Sequence, residues 1–258
     1  MTAGKIVWRE YIAADRDEAI AFYTALLGWS IKSHAMEGQS GVYPMIHAGD
    51  QPIGGFDLTD WSDDPPHWLV YIRVPDSVEA SVARAVAGGG AIVRPAADLP
   101  GIGRRAILRD PNDALFCPFD PLPPADPPID DAQWPPAPGS ISWYGIAGYD
   151  LAATAAFYSS VFGYEPAPPD EVFSPANTPV LTVGNKMYAG VLLGSDALPP
   201  QWLIYVVVTD IAATASQVSD LGGSLLTPIM TIPGVGKILG IKDPLGASFF
   251  VHQPELSE

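Results

Sequence analysis

The chain has 258 residues, of which 48% are hydrophobic and 16% are charged, so it is long enough and apolar enough for two globular domains. Its formal net charge of −16 opposes binding to the phosphate backbone of nucleic acids and to anionic membrane surfaces. No apolar run is long enough to cross a membrane, and the single cysteine, Cys117, excludes an internal disulfide. We therefore expect a cytoplasmic protein with no nucleic-acid or membrane partner.

The first predicted elements are a strand over residues 7–12 and the helix that follows it. Asp15 is the predicted N-cap of this helix, with Glu18 three residues later as its capping-box partner. Apolar residues recur at helical spacing from Ile20 to Leu27, and Gly28 is the predicted helix end. Short apolar runs over residues 43–48 and 53–58, separated by turn residues, predict strands.

The same order of elements returns about sixty residues later. A strand is predicted over residues 69–74, and Asp76 with Glu79 predicts the start of a second helix. A run of three glycines over residues 88–90 ends that helix. The structural unit is therefore a strand, a helix and roughly three further strands.

The second half of the chain repeats this whole pattern. The segment AFYTALLGW at residues 21–29 returns as AFYSSVFGY at 156–164, and PPHWLVY at 65–71 returns as PPQWLIY at 199–205. The offset between the copies drifts only from 135 to 133 residues, so they align almost end to end. A proline-rich stretch between them predicts a stiff linker, which Trp134 is expected to pin to a module. We predict two modules, residues 1–120 and 139–258, joined by a linker over residues 121–138.

The sequence resembles the vicinal oxygen chelate superfamily, which includes glyoxalases, bleomycin-resistance proteins and extradiol dioxygenases. The resemblance is carried by residues 15–29, by Val74-Pro75-Asp76 at the entry to the second helix, and by the PGIG to RDP stretch over residues 100–111. It covers nearly the whole chain and is strongest to tandem bacterial glyoxalase-like proteins. It implies an α+β fold in which each module pairs two βαβββ units into a cup-shaped, partly open β-barrel around a small molecule.

The resemblance also implies where metal ligands should lie, on the first, fifth and eighth strands of each module. Those positions hold Trp8, Leu69 and Cys117 in the first module and Trp143, Leu203 and Phe250 in the second. Tryptophan, leucine and phenylalanine offer no lone pair to a metal, and one thiol makes no site alone. We therefore predict that the standard metal site is absent, and we predict no cofactor.

Strand alternation places ionisable and aromatic side chains beside these positions. Glu10 and His67 are the candidate catalytic pair, because a histidine beside a carboxylate can act as a general acid or base near neutral pH. The second module has Gly145 and Gln201 at the matching positions, so we expect a degenerate or purely apolar cavity there. The predicted substrate-binding residues are Trp8, Leu69, Tyr71, Arg73, Cys117, Phe119, Trp143, Tyr205, Phe250 and His252.

Four functional hypotheses follow. The first is a metal-free protein that binds a small hydrophobic or aromatic ligand. The second is a metal-independent enzyme of the proton-transfer, isomerase or lyase type that uses Glu10 and His67. The third is a metal-dependent lyase or dioxygenase with these two residues as displaced ligands, and it lacks a third ligand. The fourth is a scaffold whose cups are filled by Trp8 and Trp143.

Two further alternatives stay open at this point. Glu10 can instead form a structural ion pair with Arg9, Arg73 or Arg105. The chain can be a monomer or a homodimer, and we expect a monomer because two fused modules already supply the pairing that single-module relatives obtain by dimerising.

Overall fold

The computed structural model describes residues 4–35, 42–58, 64–122, 136–167, 178–184 and 186–255. Its elements follow the predicted order four times, which confirms the α+β fold with two modules. The first module contains β1 Ile6–Ala13, α1 Asp17–Leu27, β2 Ser30–Ala35, β3 Val42–Ala48, β4 Gln51–Leu58, β5 His67–Arg73, α2 Val78–Ala87, β6 Ala91–Leu99, β7 Gly103–Arg109 and β8 Leu115–Pro121. The second contains β9 Ile141–Gly148, α3 Leu151–Phe162, β10 Glu165–Pro166, β11 Val180–Val183, β12 Lys186–Leu193, β13 Gln201–Val207, α4 Ile211–Val218, β14 Ser224–Leu225, β15 Met230–Ile232, β16 Gly236–Lys242 and β17 Ser248–Pro254.

Each module forms one open, mixed sheet. The strand order is β2-β3-β4-β1-β5-β8-β7-β6 in the first module and β10-β11-β12-β9-β13-β17-β16-β14 in the second, where β15 also pairs with β16. The pairs β1–β4, β5–β8, β9–β12 and β13–β17 are parallel, and a helix lies in the chain between the two strands of each. Such helical crossovers are what parallel neighbours require, and they place the opening strands of the four repeats at the centres of the two sheets.

Contacts divide the chain differently from the sequence repeat. Unit 1 comprises Met1–Trp8, Leu69–Pro128 and Tyr144–Trp202, and unit 2 comprises Arg9–Trp68, Ile129–Trp143 and Leu203–Glu258. Each compact unit therefore combines half of the first module with half of the second.

The two helix starts of the first module differ from the predictions. Helix α1 begins at Asp17, and the side chain of Asp15 accepts a hydrogen bond from the Asp17 amide at 3.1 Å instead of occupying the N-cap position. Helix α2 is capped by Ser77, whose hydroxyl accepts from an amide of the first turn. Asp76 was predicted as this cap, but its carboxylate binds Arg84 at 2.7 Å, and that hydrogen bond lowers the pKa of Asp76 to about 2. The Asp76 carboxylate is therefore bound to Arg84, and Ser77 is the N-cap of helix α2.

The helix ends agree better with the sequence. Helix α1 ends at Gly28, whose φ of 69° lies in the left-handed region that glycine adopts without steric cost. Gly163 ends α3 in the same way, with φ of 76°. The longest described helix, α3, has twelve residues, and none of the helices in the described ranges is long and apolar enough to cross a membrane.

The core of unit 2 surrounds a buried carboxylate. Oδ2 of Asp243 accepts hydrogen bonds from the hydroxyls of Tyr11 at 2.6 Å and Tyr23 at 3.1 Å, and the Tyr23 oxygen accepts from Nε1 of Trp68 at 3.0 Å. Oδ1 of Asp243 accepts from two amides of its own turn. Burial raises the pKa of this carboxyl, and the hydroxyl and amide donors act against that rise.

Among the described residues, unit 1 repeats this arrangement with one tyrosine hydroxyl fewer at the aspartate. Oδ2 of Asp110 accepts from the hydroxyl of Tyr158 at 3.1 Å, and Oδ1 accepts from two amides of the turn. The residue that matches Tyr11 is Ile146, which is fully buried and has no hydroxyl to donate. Burial raises the pKa of Asp110 as it does that of Asp243.

The chain leading into the second module is fastened within unit 2. Nε1 of Trp29, just past the end of α1, donates a hydrogen bond to the carbonyl of Gly139 at 2.8 Å. Gly139 has φ of 81°, and a side chain there would contact the Trp29 ring. Trp134, the residue predicted to pin the linker, lies outside the described residues.

Candidate functional site

Glu10 on β1 is the first ionisable group of the candidate site. Its Cα partner on β4 is Gly55, and its Oε1 accepts a hydrogen bond from the hydroxyl of Tyr43 on β3 at 3.0 Å. Because Gly55 has no side chain, the Tyr43 ring can cross β4 to reach Glu10, and a Cβ at Gly55 would overlap that ring. Glu10 is buried, with only 7% of the residue exposed. The sheet therefore holds a carboxylate in a defined position, with a phenol as donor.

His67, the second predicted catalytic residue, begins β5. Its Nδ1 lies 2.9 Å from the carbonyl oxygen of Pro65. A carbonyl only accepts hydrogen bonds, so Nδ1 carries the proton and Nε2 is the basic nitrogen of the neutral ring. Both Glu10 and His67 belong to unit 2, and their strands are neighbours in the sheet order.

Unit 1 brings together four of the predicted substrate-binding residues. Phe119 on β8 is paired with Arg73 on β5 and with Arg105 on β7, so these three residues form a row across three strands. Tyr71 and Cys117 form the next row. The Tyr71 ring packs edge-to-face on Phe119 with centroids 5.4 Å apart, and Cζ of Arg105 lies 5.4 Å from the Tyr71 centroid. Arg105 thus joins the cluster, although sequence reasoning considered it only as an ion-pair partner.

Trp8 and Leu69 are the remaining predicted residues of the first module, and Leu69 is fully buried like Cys117. Trp8 is half-buried, and all three residues belong to unit 1. The Cys117 thiol donates to the carbonyl of Pro118 at 3.8 Å, a weak bond typical of a small buried hydrophobe.

The second module is arranged differently at the matching strands. Tyr205 is paired with Phe250, and their rings stack with centroids 4.8 Å apart and planes 18° apart. Phe250 lies over Gly240, where a Cβ would come within 3.1 Å of its ring. Trp143 is half-buried and Leu203 is fully buried.

His252, a predicted substrate-binding residue, is a buried polar group of the second module. Its Nε2 lies 3.1 Å from the carbonyl of Val235, and its Nδ1 lies 2.9 Å from Oγ of Ser142. Since the Val235 oxygen only accepts, Nε2 carries the proton, and Nδ1 accepts from the Ser142 hydroxyl. Burial lowers the pKa of His252, which favours this neutral form.

Sequence reasoning missed Tyr43 and Ser142 as partners of predicted site residues. A signal for Tyr43 exists, because glycine inside a strand, as at Gly55, marks the close approach of another group. Ser142 has no comparable signal, since its bond to His252 joins residues 110 positions apart.

Comparison with known proteins identifies the family. A family model described as "Glyoxalase-like domain" matches residues 6–119. The protein named "Putative glyoxylase CFP32" of Mycobacterium tuberculosis is 30% identical over 251 residues, which cover 96% of this chain and 94% of that protein. The chain belongs to the glyoxalase-like family of the vicinal oxygen chelate superfamily.

Two further similarities extend over the whole glyoxalase-like chain. The "Anthracycline biosynthesis protein DnrV" of Streptomyces peucetius is 27% identical over 265 residues, covering 96% of this chain and 92% of that protein. The Mn(II)-bound glyoxalase of Novosphingobium aromaticivorans superposes with a TM-score of 0.60 at 16% identity, covering 99% of this chain and 84% of that one. The structural likeness shows the shared fold.

The residues at the positions that the superfamily resemblance implies for metal ligands do not fit a divalent ion there. Leu69 and Leu203 are fully buried hydrocarbon, Phe250 is stacked on another ring, and Cys117 supplies only one thiol. Within the described ranges, no group of three or more His, Cys, Asp or Glu side chains is arranged to hold a metal ion. No chemical step is therefore assigned to a metal.

Proposed function

We propose that this glyoxalase-like protein binds a small hydrophobic or aromatic molecule in its first module, without a divalent metal at the positions implied by the superfamily. The observation that carries the proposal is the buried Glu10 carboxylate, held by the Tyr43 hydroxyl across Gly55. Ligand sites combine apolar walls with a few precisely placed polar groups, and this pair has that character.

The relatives support the aromatic part of this proposal. DnrV is named for the biosynthesis of anthracyclines, which are aromatic molecules, and its similarity spans 96% of this chain. In our proposal the Glu10 carboxylate accepts a hydrogen bond from a hydroxyl or amide of the ligand, and Tyr43 fixes the direction of that bond. A hydrogen bond to a charged group contributes roughly 1.5–3 kcal/mol.

Isothermal titration calorimetry with naphthalene-2-carboxamide, 2-naphthol and 2-naphthoate tests binding. We expect saturable binding of at least one probe, one per chain, that persists after dialysis against EDTA. Glu10→Gln and Tyr43→Phe should each weaken binding of the carboxamide. Glu79→Gln is the matched control, because Glu79 is exposed and paired with Arg104.

Two results would contradict the proposal. Absence of saturable binding by all three probes would remove small-molecule capture of this class. Binding that disappears with EDTA and returns with Mn²⁺ would show that a metal takes part after all.

A second candidate function is proton transfer, favoured by the defined tautomer of His67. Nδ1–H donates to the carbonyl of Pro65, so Nε2 is the basic nitrogen of the neutral ring, and the strand of His67 lies next to that of Glu10. In such a reaction the base would take a proton from carbon beside a carbonyl, and the resulting enolate would receive one back from the protonated base.

Hydrogen–deuterium exchange of 2-tetralone in D₂O, followed by NMR, tests this second function. We expect exchange above the buffer rate, and a loss of that excess in Glu10→Gln and His67→Ala while carboxamide binding is retained. Equal rates with the native protein, both variants and buffer would exclude proton transfer to this ketone and leave the binding function in place.

A further inference from the structure

We infer that the ligand of the first module carries a second polar group, a hydroxyl, which binds the buried imidazole of His47 while its first polar group binds Glu10. This inference rests on the proposed small-molecule binding and specifies the ligand as an aromatic molecule with a polar group at each end. Glu10, Tyr43 and His47 all belong to unit 2.

His47 on β3 is a buried histidine without a hydrogen-bond partner. The residue is 6% exposed, and among the described residues neither Nδ1 nor Nε2 has a partner. Buried polar side chains are nearly always hydrogen-bonded, because taking a polar group out of water without a replacement is costly. An imidazole in this state is suited to contact a bound molecule.

The strand register places His47 on the same face of the sheet as Glu10 and Tyr43. Met45 on β3 is paired with Gly55, and Gly55 is paired with Glu10, so Met45 and Glu10 project from one side. Tyr43 and His47 lie two residues before and two residues after Met45, and side chains two residues apart share a face. The register shift between β3 and β4 adds a residue to β4, whereas β3 pairs with β2 without a shift. The alternation along β3 therefore continues as far as His47.

The spacing of the two polar groups suits the two ends of one ligand. His47 lies two strands away from Glu10 and two residues further along, which places their Cα atoms roughly 12 Å apart. Two fused aromatic rings with a hydrogen bond at each end have a comparable length. A neutral imidazole has one N–H donor and one basic nitrogen, so a ligand hydroxyl can pair with either of them.

The second module differs at all three positions. The matching residues are Gly145 for Glu10, Thr178 for Tyr43 and Thr182 for His47. The hydroxyl of Thr182 donates to the carbonyl of Glu165 at 3.1 Å, so this side chain is hydrogen-bonded within the protein. The register shift beside Thr182 is the same as the one beside His47, so the strand pairing does not require an imidazole there. The three polar groups occur together in one module and are replaced together in the other, as expected if they serve one site.

The test compares 2,6-dihydroxynaphthalene with 2-naphthol by isothermal titration calorimetry on the full chain. Both probes offer a hydroxyl to Glu10, and only the diol offers a second one to His47. We expect the diol to bind roughly ten times more tightly, since it adds a hydrogen bond and gives the buried imidazole a partner. The diol is symmetric, so its orientation does not affect the comparison.

Two variants of His47 and one control locate the source of this preference. His47→Thr introduces the residue that the second module has at this place, which guards against misfolding, and His47→Phe keeps a ring without its nitrogens. Both should reduce the affinity ratio to the statistical value for a ligand with two equivalent ends, with the affinity for 2-naphthol unchanged. His34→Phe is the matched control, because it removes an exposed histidine from the neighbouring strand β2 and should leave the ratio as it is.

Several outcomes would overturn the inference. A native ratio at the statistical value would overturn it and leave the proposed binding function intact. A higher free energy of unfolding in His47→Phe, with the ratio unchanged, would identify His47 as a buried polar residue with no part in binding. An equal loss of the ratio in His34→Phe would show that the preference does not come from His47. If neither probe bound, the inference would fail together with the proposed function for hydroxyl ligands.

Discussion

The closing halves of the two modules share a backbone frame and differ in how their side chains fill it. In the second module Phe250 stacks on Tyr205 with nearly parallel rings. In the first module the place of Phe250 is taken by Cys117, and Tyr71 turns edge-to-face against Phe119 instead. Phe250 is large enough to stack on its paired residue Tyr205. Cys117 offers no ring to its paired residue Tyr71, which packs instead on Phe119, two residues further along β8.

The cross-strand partners of Phe119 and of its counterpart His252 also differ between the modules. The first module has Arg73 and Arg105 where the second has Val207 and Ile238. Register is conserved between the copies because it follows from turns and buried strands, whereas the chemistry of a single face can change without cost to the pairing. Duplication has thus kept the frame, while the side chains on one face of the two copies differ in charge.

The largest effect is expected for Phe250→Cys, which gives the second module the residue of the first. Phe250 is 2% exposed, and its directly paired neighbour on β16 is Gly240, which has no side chain to move into the space that the ring leaves. We expect a loss of about 3 kcal/mol in the free energy of unfolding, measured with urea. The control Cys117→Ala should cost about 1 kcal/mol; equal costs for both variants would show that the ring pair adds nothing.

A smaller effect separates the two buried carboxylates. Tyr158→Phe removes the one tyrosine hydroxyl described at Asp110, whereas Tyr11→Phe leaves Asp243 with the hydroxyl of Tyr23. We expect urea unfolding to show losses of roughly 2–3 kcal/mol for Tyr158→Phe and about 1 kcal/mol for Tyr11→Phe. The reverse order would mean that the extra hydroxyl in unit 2 is not a reserve donor.

The smallest effect concerns pH. Burial raises the pKa of Asp243, so the folded protein holds this proton more tightly than the unfolded chain does. The resulting stabilisation is complete below the ordinary aspartate pKa of about 3.9 and is lost as pH rises through the raised value. The stability of the native protein relative to Asp243→Asn should therefore fall from pH 4 to pH 7 in urea titrations.

Asp110→Asn provides the comparison for that measurement. Burial is also the main cause of the raised pKa of Asp110, so its variant should show a trend of the same sign. A relative stability that rises with pH in either case would contradict the assignment of burial as the dominant cause.

Recurring segments predicted the repeats, the resemblance implied the fold class, and apolar periodicity predicted individual helices because that pattern is local. The segment from Ile20 to Gly28 shows this, since its spacing predicted a helix that the structure confirms as α1. Strand alternation also placed Tyr71 and Arg73 on one face of their strand, and in unit 1 they are paired with Cys117 and Phe119 of β8.

Side-chain contacts between residues far apart in the sequence could not be predicted from local patterns. The bond from Tyr43 to Glu10 passes over an intervening strand, and Ser142 meets His252 from a distant part of the chain. Alternation says which face a side chain takes, but not which residue on another strand it meets. The grouping of module halves into units depends in the same way on long-range packing.

That grouping constrains how the two copies can diverge. Tyr23 of the first module binds Asp243 of the second, and Tyr158 of the second binds Asp110 of the first. In a single-module ancestor, one sequence would have to supply both sides of each such bond in a symmetric pair of chains. Fusion ends that requirement, so Tyr11 can persist in one copy while Ile146 takes its place in the other. In a symmetric pair of identical chains a substitution changes both equivalent positions, whereas in the fused chain it changes only one of them.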